Sequence, residues 1–358
     1  MSWLGAGAAD RHPVYNPDGL HNGPSRAYVP CRVMPRGSLL LEASLPDQFN
    51  QPLDLIEYER HDRFRRSLHM VLGPNGKLWV AIEAGQALSV LSLDLSTWSK
   101  DTPIRISYSW DLSKQHAWLG AEHLETGELK TVTGNCAALY EEDLARVLFA
   151  VDQTALARDV HCIAFADHIE PLGYSEGIGA GALVETAIGP QSIETLKTGA
   201  EIVTSSGTKT RLLAGIVSYM PAIGSLAPLR VRRPFQNLKQ TLDLTPRCEI
   251  LTEGVDAAYL FGVEHVAVKP MHLVPFLPSA NRRLGLMSKR YRLVLEEPQP
   301  FRVAGISVCA AGHRHDSATH GLTRLAHLPY DSLPRNDTTA TMTLLRHEAV
   351  ALMSPRYL

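Results

Sequence analysis

The residues of this chain that could do chemistry are few and scattered. Its five cysteines, Cys31, Cys136, Cys162, Cys248 and Cys309, are odd in number, widely spaced and without a Cys-x-x-Cys pair. That spacing argues against a disulfide framework and against a zinc ribbon. Cys248, within Thr245-Pro246-Arg247-Cys248-Glu249-Ile250-Leu251, reads as a small buried apolar residue before it reads as a nucleophile. Histidines gather in Gly312-His313-Arg314-His315-Asp316, with His320 and His327 further on. On a strand, His-x-His points both imidazoles to one side, and Asp316 would add an oxygen ligand. The intervening Arg314 and the loop-like composition favour a solvated loop instead. His313, His315 and Asp316 are therefore weak metal candidates, and no cofactor is expected. The carboxylate pairs Glu141/Glu142 and Glu296/Glu297 are adjacent rather than facing, and read as surface charge. No phosphate-cradling Gly-rich loop, Gly-x-Ser-x-Gly elbow or dinucleotide fingerprint occurs.

Composition narrows the classes further. With 358 residues the chain is long enough for two domains at about 150 residues each. Thirty-five basic against 37 acidic residues give a formal charge of −2, which supplies no field for nucleic acid or an anionic membrane. The short basic runs Arg230/Arg232/Arg233, Arg282/Arg283 and Lys289/Arg290/Arg292 read as solvated surface. The first residues lack the basic start and apolar core of a secretory signal. No run approaches the ~20 apolar residues of a membrane span. A cytoplasmic location is the default expectation, with export lacking a cleaved signal left open.

The elements that must position any site are read as mainly β. Residues 1–36 are dense in Pro, Asn-Gly and Asp-Gly and predict an extended arm. From 37 to 150, short alternating segments predict an antiparallel β-sandwich. Leu68, Met70 and Leu72 alternate before Gly73-Pro74-Asn75-Gly76, and Leu78, Val80 and Ile82 after it, which is period two around a hairpin turn. Trp79, Trp98, Trp110 and Trp118 would serve as core or as stacking surfaces for a carbohydrate. Glu141–Phe149 reads as a helix with an acidic first turn. A linker is expected over 151–171, a second strand-rich domain over 172–313, and a tail over 314–358 in which 342–353 docks as a last helix or strand.

The stretch that organises the second domain is GIGAGALVETAIGPQSIETLKTGAEIVT, Gly177 to Thr204. It predicts a strand, a Gly189-Pro190 turn, a one-turn helix at Ser192–Lys197 and a second strand at Glu201–Thr204. The stretch resembles the opening of the bacterial form of the Hint domain, the module shared by hedgehog autoprocessing regions and inteins. Leu244 to Leu251 resembles that family's second block, and its interval from Gly177 suits the family. Val266 to Leu273 and Ile306 to Gly312 resemble the later strands more softly. A strand with Tyr108, Trp110 and Asp111 also resembles the N-terminal domain that accompanies such regions, which implies a concanavalin-type sandwich.

The resemblance implies a mechanism, and the residues depart from it. In the family a Cys or Ser attacks the carbonyl just before it, and a Thr-x-x-His motif polarises the bond and protonates the departing nitrogen. Here Gly177 stands where the nucleophile belongs, Thr245 matches, and Cys248 replaces the histidine. A thiol with an unperturbed pKa of ~8.5 is a poor acid in imidazole's place. The aspartate that usually follows Gly199 is Ala200, and the only His-Asn pair, His21-Asn22, lies far away in the arm. These departures argue against splicing, and the degenerate site of Gly177, Thr245 and Cys248 implies a binding or scaffold protein with an unknown protein or glycan partner. The rival is a self-cleaving enzyme, cutting near Gly177 with a substitute nucleophile such as Cys248 or Ser175.

Overall fold

A computed structural model describes residues 2–25, 32–46, 50–99, 101–150, 155–173, 175–233, 235–274, 285–311, 315–334 and 341–354. The chain divides into two compact units, Met1–Gly173 and Tyr174–Leu358. No helix among the described residues is long and apolar enough to cross a membrane.

The first unit is a β-sandwich. One sheet has seven strands, in the order Leu129–Gly134, His116–His123, Pro103–Asp111, Arg36–Ser44, Val160–Ala166, Trp3–Ala8 and Arg11–Tyr15. The other has five, in the order Ala155–Leu156, Leu53–His61, Arg65–Leu72, Lys77–Ala84 and Ala87–Asp94. Period-two alternation explains the core: Leu68, Met70, Leu72, Leu78, Val80 and Ile82 are buried, and share one cluster with Leu39, Leu41, Ile106, Tyr108, Trp110 and Phe165 of the other sheet. Trp110 is fully buried, and its indole N–H donates to the Met34 carbonyl at 3.0 Å.

Two expectations fail in this unit. Residues 1–36 are not simply an extended arm, because Trp3–Ala8 and Arg11–Tyr15 are strands of the large sheet. Pro13 is tolerated because Arg11–Tyr15 is the outermost strand, where a missing N–H costs no ladder bond. The linker expected over 151–171 contains Val160–Ala166, which pairs with both Arg36–Ser44 and Trp3–Ala8. Its apolar VHCIAFA run suits a strand paired on both sides.

Helix Glu141–Phe149 forms as predicted, but its acidic start is not surface charge. Glu141 and Glu142 are buried, as is Asp143. Tyr15 donates a hydrogen bond to Glu141, Arg60 meets Glu142 at 2.7 Å, and Tyr58 donates to Asp143 at 2.6 Å. Arg66, 3 % exposed, contacts Asp143 at 3.3 Å and lies 4.6 Å from the Tyr140 ring centroid. Glu296 and Glu297 are exposed, as expected.

The second unit is one hydrogen-bonded sheet of thirteen strands among the described residues. Its core joins Ile178, Val184, Ile202, Leu244, Ile250, Val266, Leu293 and Phe301. The opening stretch differs from its expected form. Leu183–Thr186 and Gly189–Ser192 make a hairpin turned at Ala187-Ile188, so Gly189-Pro190 begins a strand, and where a helix is expected over Ser192–Lys197 the strand ends at Ser192 and a turn follows at 193–195. The end of the chain belongs to this unit: Met342–Thr343 pairs in parallel with His265–Val268, and helix Arg346–Met353 buries Ala349, Leu352 and Met353 in the core.

Candidate functional site

Two strand neighbours position Gly177. Ile178–Gly179 lies between Leu242–Leu244 and Met287–Leu295, with Ile178 opposite both Leu244 and Tyr291. The Gly177 N–H donates to Thr245 Oγ1 at 2.9 Å, and the Thr245 N–H returns a bond to the Gly177 carbonyl at 3.0 Å. Pro246-Arg247 then turns the chain, with the Cys248 N–H donating to the Thr245 carbonyl at 3.1 Å. Gly177 and Cys248 thus line one cleft, together with Glu176, Arg247, Arg292 and Cys309. Gly177, Thr245 and Cys248, dispersed in sequence, meet in space.

Within the cleft Thr245 bonds to Gly177, which carries no side chain, and Cys248 lines the same space. Thr245 is buried and holds the amide nitrogen of the Glu176–Gly177 bond, the nitrogen that would depart in a processing reaction. No side chain fits at 177. A Cβ built there would lie 2.7 Å from the Tyr291 carbonyl oxygen and 3.1 Å from its carbon, and both atoms belong to the backbone of a central strand. Close approach, not an unusual φ, is what demands glycine.

Cys248 is no replacement. It is 6 % exposed and packs in the core. Burial pushes its thiol well above the ordinary cysteine range, and nearby Arg292 only partly offsets this. At neutral pH the sulfur is a protonated thiol, a weak nucleophile and a poor proton donor to an amine.

Sequence reading missed the arginines. Arg290 and Arg292, expected on a solvated surface, are 1 % and 8 % exposed. Arg290 Nη1 donates to the Ser175 carbonyl at 2.9 Å, and Arg292 Nη1 to the Glu176 carboxylate at 2.6 Å. Their spacing two apart on the strand Met287–Leu295 was the available signal, because period two sets both on one face. Ser175, the other substitute nucleophile considered, is itself buried.

Asp316 caps the short helix Ser317–His320, its carboxylate accepting the Thr319 N–H at 2.7 Å, which holds its pKa below the usual range. His315 is partly buried, and His313 lies outside the described residues. No metal-holding group of three His, Cys, Asp or Glu occurs among the described residues. Of the tryptophans, Trp98 and Trp110 are core, whereas Trp79 and Trp118 are half-buried.

A protein-family model described as the Hint domain matches residues 178–307, a range that begins one residue after Gly177 and includes Thr245 and Cys248. A search of curated proteins returns no match. Among solved structures, a bacterial intein-like domain from Clostridium thermocellum is 12% identical over 38% of this chain and 97% of that chain, with a TM-score of 0.25. A sialidase CBM40 of Ruminococcus gnavus, bound to alpha2,3 sialyllactose, is 10% identical over 37% of this chain and 75% of that one, with a TM-score of 0.26. The bacteriophage CBA120 tailspike protein 2 is 15% identical over 31% of this chain, with a TM-score of 0.23, and the match spans only 17% of the tailspike chain. Those likenesses are weak, and the assignment rests on the domain match. Residues 178–307 are a Hint domain, and this chain is a Hint-domain protein.

Proposed function

We propose that this protein no longer processes itself and acts by binding, with its Hint domain as a scaffold. The approach of the Tyr291 backbone to Gly177 carries the reading, since a nucleophile-bearing residue would require a central strand to move. The protonated, buried Cys248 supports it. The Thr245 contact and the packed core are kept, so the domain retains a shaped surface after its chemistry is lost; the role follows from this site and not from the fold. Intact mass after long incubation, with and without dithiothreitol or hydroxylamine, tests the reading. An unchanged 39.3 kDa is expected. Fragments ending near Gly177 would instead establish the self-cleaving enzyme that uses Cys248 or Ser175.

A second reading gives the N-terminal sandwich, taken as concanavalin-type, a glycan partner. Trp118 is only half-buried, with the His116 ring edge-on at 4.7 Å. It lies opposite Thr133 on the neighbouring strand, so an aromatic face and a hydroxyl share one side of the sheet. Binding on a glycan array that Trp118→Ala abolishes is the expected result, and an empty array would end this reading.

A further inference from the structure

We propose that the apolar surface formed by residues 255–274 and 342–353 is where two copies of this chain pair. This goes beyond the loss of processing and does not depend on it. Helix Val255–Phe261 packs against helix Arg346–Met353 and strand His265–Val268, and helix Pro270–Leu273 packs against Arg346–Met353 as well. Met342–Thr343 extends the same strand edge. These elements already have a filled inner side, with Ala257, Leu273, Leu344, Ala349 and Leu352 in the core.

Their outer side is apolar where a surface helix is ordinarily polar. Val255 and Tyr259, four apart on one helix, are 85% and 86% exposed. Leu345 is 60% exposed, Leu260 and Met342 43%, and Met271 39%. On side chains of ordinary size these fractions leave roughly 600 Å² open, at the upper end of what a monomer usually shows in one patch. A standard interface takes about 800 Å² from each partner, and in homodimers about two thirds of that is apolar. The open area is therefore the apolar share of one such interface.

The charges around the patch favour a second copy over an unrelated protein. Glu253 and Glu264 flank helix Val255–Phe261 and Asp256 lies in its first turn, while Lys269 and Arg346 stand at the starts of the other two helices. A two-fold axis that set the acidic helix of one copy against the basic helix starts of the other would supply the self-complementarity an isologous contact needs.

Sedimentation equilibrium of the full chain over about 1 to 100 µM tests this directly, because a dimer's population depends on concentration. The expected mass rises from 39.3 kDa towards twice that value. Tyr259→Glu and, separately, Val255→Asp should weaken association at least tenfold while leaving the thermal melt of the dilute, monomeric protein unchanged, since both side chains are exposed in a single copy. Leu88→Asp, placed on another exposed apolar residue in the first unit, should leave association unchanged. A wild type that stays monomeric to 100 µM overturns the proposal. So does a dimer that survives both Tyr259→Glu and Val255→Asp, or one that only Leu88→Asp dissolves.

Discussion

Buried arginines hold this protein together in two places, and they do it differently. In the first unit Arg66, which is buried, and Arg60, which is half-buried, bind Asp143 and Glu142 at the start of a helix, with Tyr58 adding a hydrogen bond to Asp143. There the charges of strands meet the charges of a helix, and the network staples one element to another. In the second unit Arg290 and Arg292 hold the chain itself, one at the Ser175 carbonyl and the other at the Glu176 carboxylate, just ahead of Gly177. The first arrangement is a structural clasp. The second fixes the chain that leads into Gly177, a residue with no side chain.

Breaking the clasp should have the largest effect. Asp143→Ala leaves Arg66 buried without one of its carboxylates and the Tyr58 hydroxyl without its acceptor, and should cost roughly 3 kcal/mol or more. Urea unfolding followed by circular dichroism would measure it. A loss under 1 kcal/mol would show that Asp62, which meets Arg66 at 3.1 Å and Arg60 at 3.0 Å, takes over with Glu142.

The cleft should respond less strongly but more specifically. Gly177→Ala forces a Cβ against the Tyr291 carbonyl and should cost about 1–3 kcal/mol. For the same reason Gly177→Cys combined with Cys248→His should form no thioester, although it restores both family residues. Hydroxylamine-dependent cleavage of that double variant would refute the steric argument. Thr245→Val removes the acceptor of the buried Gly177 N–H and should cost about 1–1.5 kcal/mol, again read from urea unfolding.

The smallest expected effect is a pH dependence in the first unit. Burial opposes charge on His168, but its hydrogen bond to Glu170 at 2.9 Å and the nearby Asp167 outweigh burial and raise its pKa. A raised histidine pKa adds stability that is fully present below the unfolded value of about 6.5, and loses it as pH climbs through the folded value. The melting temperature should therefore fall slightly more between pH 6 and 8 than in His168→Gln. Parallel profiles for the two proteins would show that the ring contributes packing and no charge.

Much of this was legible in the residues. The hairpin around Gly73-Pro74-Asn75-Gly76, the acidic-headed helix at Glu141 and the two blocks around Gly177 and Thr245 all rest on local periodicity or on short motifs, which neighbours in sequence suffice to specify. The strands at Trp3–Ala8 and Val160–Ala166 were not read, because Pro and Gly signals mark where a chain turns and not where a distant strand will accept it. Burial of Glu141 and Arg290 was equally illegible. Adjacent charges look solvated until the partners that neutralise them arrive from elsewhere in the chain, such as Tyr15 for Glu141 or the Ser175 carbonyl for Arg290.

By itself the sequence determined that Gly177 and Cys248 stand at these two positions, identities that no folding changes. Only the tertiary structure decided what surrounds those two residues. It brought Tyr291, more than a hundred residues away along the chain, against Gly177, and it enclosed Cys248 where burial keeps the thiol protonated. The physical reason is that backbone approach and desolvation are set by what surrounds a residue in space, and on a many-stranded sheet those surroundings are supplied by strands remote in sequence.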